Sequence, residues 1–108
     1  MRNLQMGRRI MIEVATMEEL EKRKTKCIEV NGQKIALYYL EGNVFATQDT
    51  CPHEDISLAE GVVEGDKIVC WAHFWEFDIK SGKGLNQPDS DLRTYKTKVE
   101  AGKIFVEA

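Results

Sequence analysis

A turn signal about every ten residues is the feature that most narrows what this chain can fold into. Cys27-Ile28-Glu29-Val30 alternates, Asn31-Gly32 follows as a strong hairpin dipeptide, and Ile35 to Leu40 reads as the return strand. Glu41-Gly42-Asn43 leads into Val44-Phe45-Ala46-Thr47. Val62-Val63, Glu64-Gly65-Asp66 and Ile68-Val69 make another hairpin, and Tyr95 to Glu100, Ala101-Gly102 and Lys103 to Val106 the last. Ile10 to Val14 reads as an additional strand at the start. Segments this short, with no βαβ rhythm, predict an all-β antiparallel sandwich or barrel-like fold. One helix interrupts the pattern. Thr16-Met17-Glu18-Glu19 is a capping box, so a short N-terminal helix is expected from Met17 to about Lys22.

The chain has 108 residues, 43% of them apolar, which suits one core, so residues 10–108 are expected to form a single domain. No apolar run approaches the roughly 18 residues of a membrane span, so no membrane partner is expected. Net charge is −3, which argues against nucleic acid. Residues 1–9, with Arg2, Arg8 and Arg9, read as a flexible basic tail upstream of a candidate start at Met11. An Arg-Arg pair invites a twin-arginine export reading, but Glu13, Glu18 and Glu19 fall where the apolar segment of an export signal belongs. A cytoplasmic protein is expected. Without the tail arginines, 12 basic residues face 18 acidic ones.

Two segments break the strand pattern: Thr50-Cys51-Pro52-His53-Glu54-Asp55 and Cys70-Trp71-Ala72-His73-Phe74-Trp75. They fall in expected loops at about 49–58 and 70–78. Each offers one thiolate and one imidazole, in the pattern C-x-H-x16-C-x2-H. The Val62–Val69 hairpin between them would bring the two pairs to the same end of adjacent strands. Cys51, His53, Cys70 and His73 are therefore candidate metal ligands. Two metals suit two cysteines and two histidines. A structural zinc ion is one, although zinc fingers usually pair like with like at short spacing. The other is the Rieske [2Fe–2S] cluster, in which two histidines replace two cysteines on one iron.

The residues Cys51-Pro52-His53, Leu58-Ala59-Glu60-Gly61, Cys70-Trp71-Ala72-His73-Phe74-Trp75-Glu76-Phe77, Gly82-Lys83-Gly84, Pro88 and the closing Leu92, Tyr95, Val99-Glu100, Gly102 and Ile104-Phe105-Val106 carry a resemblance. Over roughly Val44 to Val106 the chain resembles the small Rieske-type ferredoxins of bacterial aromatic-ring mono- and dioxygenases. Its His-x-Trp-x-Phe stretch is nearer to the toluene monooxygenase ferredoxins than to the His-Gly form. The resemblance implies a Rieske-type fold with a two-loop cluster-binding subdomain and one [2Fe–2S] cluster per chain. Cys51 and Cys70 would hold one iron, and His53 and His73 the other. It also implies a one-electron carrier between a reductase, flavin-containing and NAD(P)H-linked, and a terminal oxygenase or other acceptor. A monomer is expected. Pro88 would sit in a third loop covering the cluster, or be an ordinary turn proline.

Departures from the high-potential branch of that family bear on redox tuning. Respiratory Rieske proteins carry a loop disulfide where this chain has Ile56 and Ala72, and serine and tyrosine hydroxyls where it has Trp75 and Phe77. Fewer hydrogen bonds to sulfur stabilise the added electron less, so a potential of about −150 to 0 mV is expected.

Only two histidines exist. If both bind a cluster, none remains for a mononuclear iron site or for a nucleophile's base, so an electron carrier rather than an enzyme is expected. Two rivals stay open at this point: a zinc-stabilised binding module, and a Rieske subunit fixed within a larger oxidoreductase. Among the other residues, Cys27 reads as a half-buried filler. Glu54, Asp55, Glu60, Glu64 and Asp66 are either a solvated face or an acidic docking rim. Phe74 is read as a contact residue and Trp75 as a shield for the cluster.

Overall fold

The computed structural model describes residues 10–52, 54–72, 74–87 and 90–108. The basic tail, His53, His73 and Pro88 lie outside the described residues.

The chain runs through strand β1 (Met11–Thr16), helix α1 (Met17–Arg23), β2 (Thr25–Val30), β3 (Gln33–Leu40), β4 (Asn43–Gln48), a 3-10 turn (Leu58–Glu60), β5 (Val62–Glu64), β6 (Lys67–Val69), β7 (Glu76–Asp78), β8 (Thr94–Tyr95), β9 (Thr97–Glu100) and β10 (Lys103–Glu107). Three antiparallel sheets result, ordered β1-β10-β9, β2-β3-β4-β8 and β5-β6-β7. Asn31 and Gly32 both take positive φ, 52° and 80°, as the two-residue hairpin joining β2 to β3 requires.

Strand β3 explains the layering. Four consecutive residues, Ile35 to Tyr38, are completely buried, so the strand is covered on both faces. Its side chains alternate between two separate apolar clusters. Ile35 and Leu37 enter one, with Leu20, Val30, Val44, Ala46, Ile104 and Val106. Ala36, Tyr38 and Leu40 enter the other, with Cys51, Leu58, Ile68, Cys70, Phe77, Ile79 and Leu92. The sheet β2-β3-β4-β8 is thus a middle layer, and the second cluster, which contains two of the four candidate ligands, lies on one of its faces.

Helix α1 is half of the expected capping box. The Thr16 hydroxyl accepts the Glu19 N–H at 3.2 Å, but the Glu19 carboxylate turns instead to Lys26, 2.7 Å away. That ion pair holds the Glu19 carboxyl below its ordinary range. The stretch expected as one strand from Tyr95 to Glu100 is split at Lys96, because β8 pairs with β4 while β9 pairs with β10. Strand β7 was expected as part of the second loop. Glu76-Phe77-Asp78 pairs with Val69-Ile68-Lys67, so the chain rejoins a sheet at Glu76 rather than after residue 78.

Candidate metal centre

Each candidate loop is closed by its own backbone. In the first, Thr50 and Ser57 form an isolated antiparallel bridge. Within it the Cys51 N–H donates to Ile56 O at 3.1 Å, and the Glu54 N–H donates to Cys51 O at 3.2 Å. Gln48 continues the brace from β4: its Nε2 donates to Thr50 O at 2.8 Å while its Oε1 accepts the Arg93 N–H at 2.8 Å. In the second loop the Cys70 N–H donates to Trp75 O, and the Phe74 N–H donates back to Cys70 O, both at 2.8 Å. This tight closure leaves Phe74 at φ 60°, an uncommon conformation for a bulky residue. Asn86 ties the segment before Pro88 to that loop, donating to Phe74 O at 3.2 Å and accepting the Glu76 N–H at 3.1 Å.

The loops converge at their roots. Cys51 is 2% exposed and Cys70 1%, and both belong to the one apolar cluster under the middle sheet. Gly61 enforces the approach: a Cβ built there would fall 2.3 Å from the carbonyl oxygen of Val69, the residue before Cys70. The path out of the first loop therefore lies directly against the root of the second, and only a residue without a side chain fits.

Two cysteines buried together among apolar side chains suit a soft cation. A thiolate is the form that binds metal, and a thiolate in such surroundings is tenable only when a metal charge compensates it. Cys51 and Cys70 therefore fit an iron–sulfur cluster, and their partner histidines follow two and three residues later in sequence.

Around this centre the exposed surface is partly apolar. Phe74 is 69% exposed, Trp71 51% and Leu85 51%. Trp75 is half-buried, packs on the cysteine-containing cluster and lies 6.5 Å, ring to ring, from the fully buried Phe77. Glu54, Asp55, Glu60, Glu64 and Asp66 are all exposed. Glu64 and Asp66, however, flank the β5–β6 turn at the end of that hairpin away from Cys70, so they are not part of a rim around the centre, and Asp66 is paired with Lys80 at 3.6 Å.

Two residues differ from expectation or were absent from it. Cys27 is exposed in mid-strand, not half-buried, because β2 is an outer strand of its sheet. Its thiol donates to Asp49 Oδ2 at 3.3 Å. Desolvation, and then the neighbouring carboxylate, push this thiol up to about 11. Asp49 itself was not singled out, yet it is 1% exposed and stands immediately before the first loop. Its only signal in the sequence is an acidic residue directly after the end of β4.

Residues 10–96 match the Rieske [2Fe-2S] domain, and the chain belongs to that family. It is 33% identical, over 97 residues, to the ferredoxin component of the naphthalene 1,2-dioxygenase/salicylate 5-hydroxylase systems of a Ralstonia species, covering 89% of this chain and 93% of that one. The ferredoxin component of the alkene monooxygenase system of Xanthobacter autotrophicus is 29% identical over 96 residues, covering 88% of this chain and 79% of that one. Among solved structures, the complex of reduced oxygenase and oxidized ferredoxin in carbazole 1,9a-dioxygenase contains a chain that superposes with a TM-score of 0.82 at 27% identity, covering 90% of this chain and 92% of that one. The family resolves the choice left open by the donor set: a Rieske-type [2Fe–2S] cluster, not a zinc ion.

Proposed function

We propose that this chain is a one-electron carrier that delivers electrons to an oxygenase through a Rieske-type cluster held by Cys51, His53, Cys70 and His73. The observation that carries the reading is the burial of Cys51 and Cys70, from two separately closed loops, in one apolar cluster. In the ligand set we infer, Cys51 and Cys70 would bind one iron and His53 and His73 the other. The cluster supplies a reversible one-electron couple whose potential is raised by replacing two anionic ligands with neutral ones.

The protein's own residues do the rest. The rigid loop closures fix the ligands, which keeps the reorganisation on electron transfer small. Trp75 and the surrounding apolar cluster would exclude water from Cys51 and Cys70. Phe74, Trp71 and Leu85 give an apolar contact face, and Glu54 and Asp55, exposed in the first loop, act as an acidic rim that steers a basic partner surface. Phe74 is held at positive φ with its ring outward, and strain of that kind collects at functional positions. The electron source we infer is a flavin-containing, NAD(P)H-linked reductase. We place residues 10–108 in one domain acting as a freely exchanging cytoplasmic monomer. Among the described residues no helix is long and apolar enough to cross a membrane.

Iron and acid-labile sulfide analysis with electron paramagnetic resonance tests the reading. The expected protein is red-brown, carries two irons and two sulfides per chain, and shows the signal of a nitrogen-ligated [2Fe–2S] centre when reduced. A colourless protein with a single zinc ion would overturn it.

A further inference from the structure

Asp49 is a buried carboxylate whose donors among the described residues are all neutral. Its Oδ1 accepts two hydrogen bonds at 2.9 Å, from the Ser57 hydroxyl and from the Ala59 N–H. Its Oδ2 accepts the Cys27 thiol at 3.3 Å. Its main chain is engaged as well: the N–H donates to Lys34 O at 3.0 Å, and the carbonyl accepts the Leu58 N–H at 2.7 Å. One residue thus links β2, β3, the end of the first loop and the 3-10 turn behind it.

The placement is informative. Asp49 precedes the loop, and its acceptors grip residues 57 to 59, which follow it. The carboxylate and the Thr50–Ser57 bridge together close the neck of a short loop that contains Cys51. Burying a carboxylate against neutral donors is costly, and a well-packed apolar residue is usually the more stabilising choice. A carboxylate kept there provides what an apolar residue cannot: three directed acceptor contacts that select one loop shape.

We infer that Asp49 is a positioning residue for the cluster, acting through the first ligand loop and holding Cys51 where it must bind. The inference rests on the cluster reading given above. It concerns hydrogen-bonded shape and not the negative charge, and that distinction makes it testable. Asp49→Asn keeps an oxygen facing Ser57 and Ala59 and turns an amide toward the Cys27 sulfur. Asp49→Ala removes the carboxylate acceptor from all three donors.

The experiment compares the parent, Asp49→Asn, Asp49→Ala and Ser57→Ala as cluster-loaded proteins. It records cluster bleaching in the visible, the paramagnetic resonance spectrum of the reduced form, and the far-ultraviolet signal at the same temperature. Loss of such outer-shell support costs roughly 10- to 100-fold in metal binding. Asp49→Ala is expected to bleach about 10- to 100-fold faster than the parent while still folded, with an altered spectrum. Asp49→Asn is expected to restore the parent's lifetime and spectrum, and Ser57→Ala to fall between. Parent-like bleaching and spectrum in Asp49→Ala, even with a lower melting temperature, overturn the inference by leaving a merely structural role. Equal loss in Asp49→Asn and Asp49→Ala overturns it in favour of charge. Should Asp49→Ala not fold, Ser57→Ala decides: faster bleaching supports the inference and unchanged bleaching ends it. A parent that contains no iron or sulfide refutes the carrier reading instead. Hydrogen exchange at the Ala59 amide would then still show whether Asp49 pins the loop, through protection lost in Asp49→Ala and kept in Asp49→Asn.

Discussion

Two isoleucines on opposite faces of the middle sheet separate stability from cluster retention. Ile68 and Ile104 are both completely buried, but Ile68 packs in the cluster that contains Cys51 and Cys70, and Ile104 in the one that does not. Shortening either to valine removes one methylene and costs about 0.5–1.5 kcal/mol. A domain of this size loses about 4–8 °C of melting temperature per kcal/mol, so each variant should melt about 2–12 °C lower. That is a small part of a global stability of about 5–15 kcal/mol, and both variants stay folded at room temperature. The assay follows far-ultraviolet dichroism for the fold and visible absorbance for the cluster, at one scan rate. Ile68→Val should bleach faster than Ile104→Val well below either melting temperature, since the void opens beside the cysteines and loosens their seats. Alanine at the same positions, at about 2–5 kcal/mol, should widen the gap. If the two valine variants lose colour at equal rates once matched for melting temperature, the division of the interior into a cluster-bearing and an independent core is wrong.

Three other outcomes are expected. In the cluster-loaded protein Cys27 should be the cysteine that alkylates, and at about pH 8 it should react roughly 10- to 100-fold slower than an open thiol, the lower figure reflecting solvent screening. A thiol raised from 9.0 to about 11 stabilises the fold in its protonated form. That contribution is complete below pH 9.0 and lost as pH rises through about 11, so urea midpoints of the parent should fall over that window more steeply than those of Cys27→Ser. Phe74→Asn, which tolerates positive φ, should change stability by less than about 0.5 kcal/mol yet slow electron transfer to the cognate oxygenase in stopped-flow mixing; an unchanged rate removes Phe74 from the contact face. Redox titration should give a midpoint of about −150 to 0 mV, and a value above about +150 mV would show that sulfur hydrogen bonding is richer than Trp75 and Phe77 imply.

What the sequence made legible was whatever depends on local chemistry. Asn31-Gly32 can hardly be anything but a hairpin, and alternation in Cys27 to Leu40 placed β2 and β3 within two residues of where they lie. Cysteine and histidine are rare enough here that their spacing marked two candidate loops before any fold was known, the second of which ends at Glu76 rather than after residue 78. The features that escaped depend on partners distant in the chain. Glu76-Phe77-Asp78 has no strand signature of its own and becomes β7 only because β6 offers an open edge. Glu19 could complete a capping box but finds Lys26, a stronger partner, seven residues away. Asp49 was not singled out, and only the return of Ser57 and Ala59 to its carboxylate makes it a brace.

The same reasoning explains how so small a chain can hold a cluster rigidly. Neither ligand loop is stiff by composition; each has one proline or none. Rigidity comes instead from where the loops are tied: Gln48 and Asp49 at the end of β4, the Gly61 approach to Val69, and Asn86 reaching Phe74. Each tie anchors a loop to a strand that is itself buried or paired. The exposed side chains, foremost that of Phe74, whose backbone carries one of the ties, are then free to be selected for a partner rather than for the fold. A chain built this way can change its docking side chains without moving the ties that hold its loops, which suits an electron carrier.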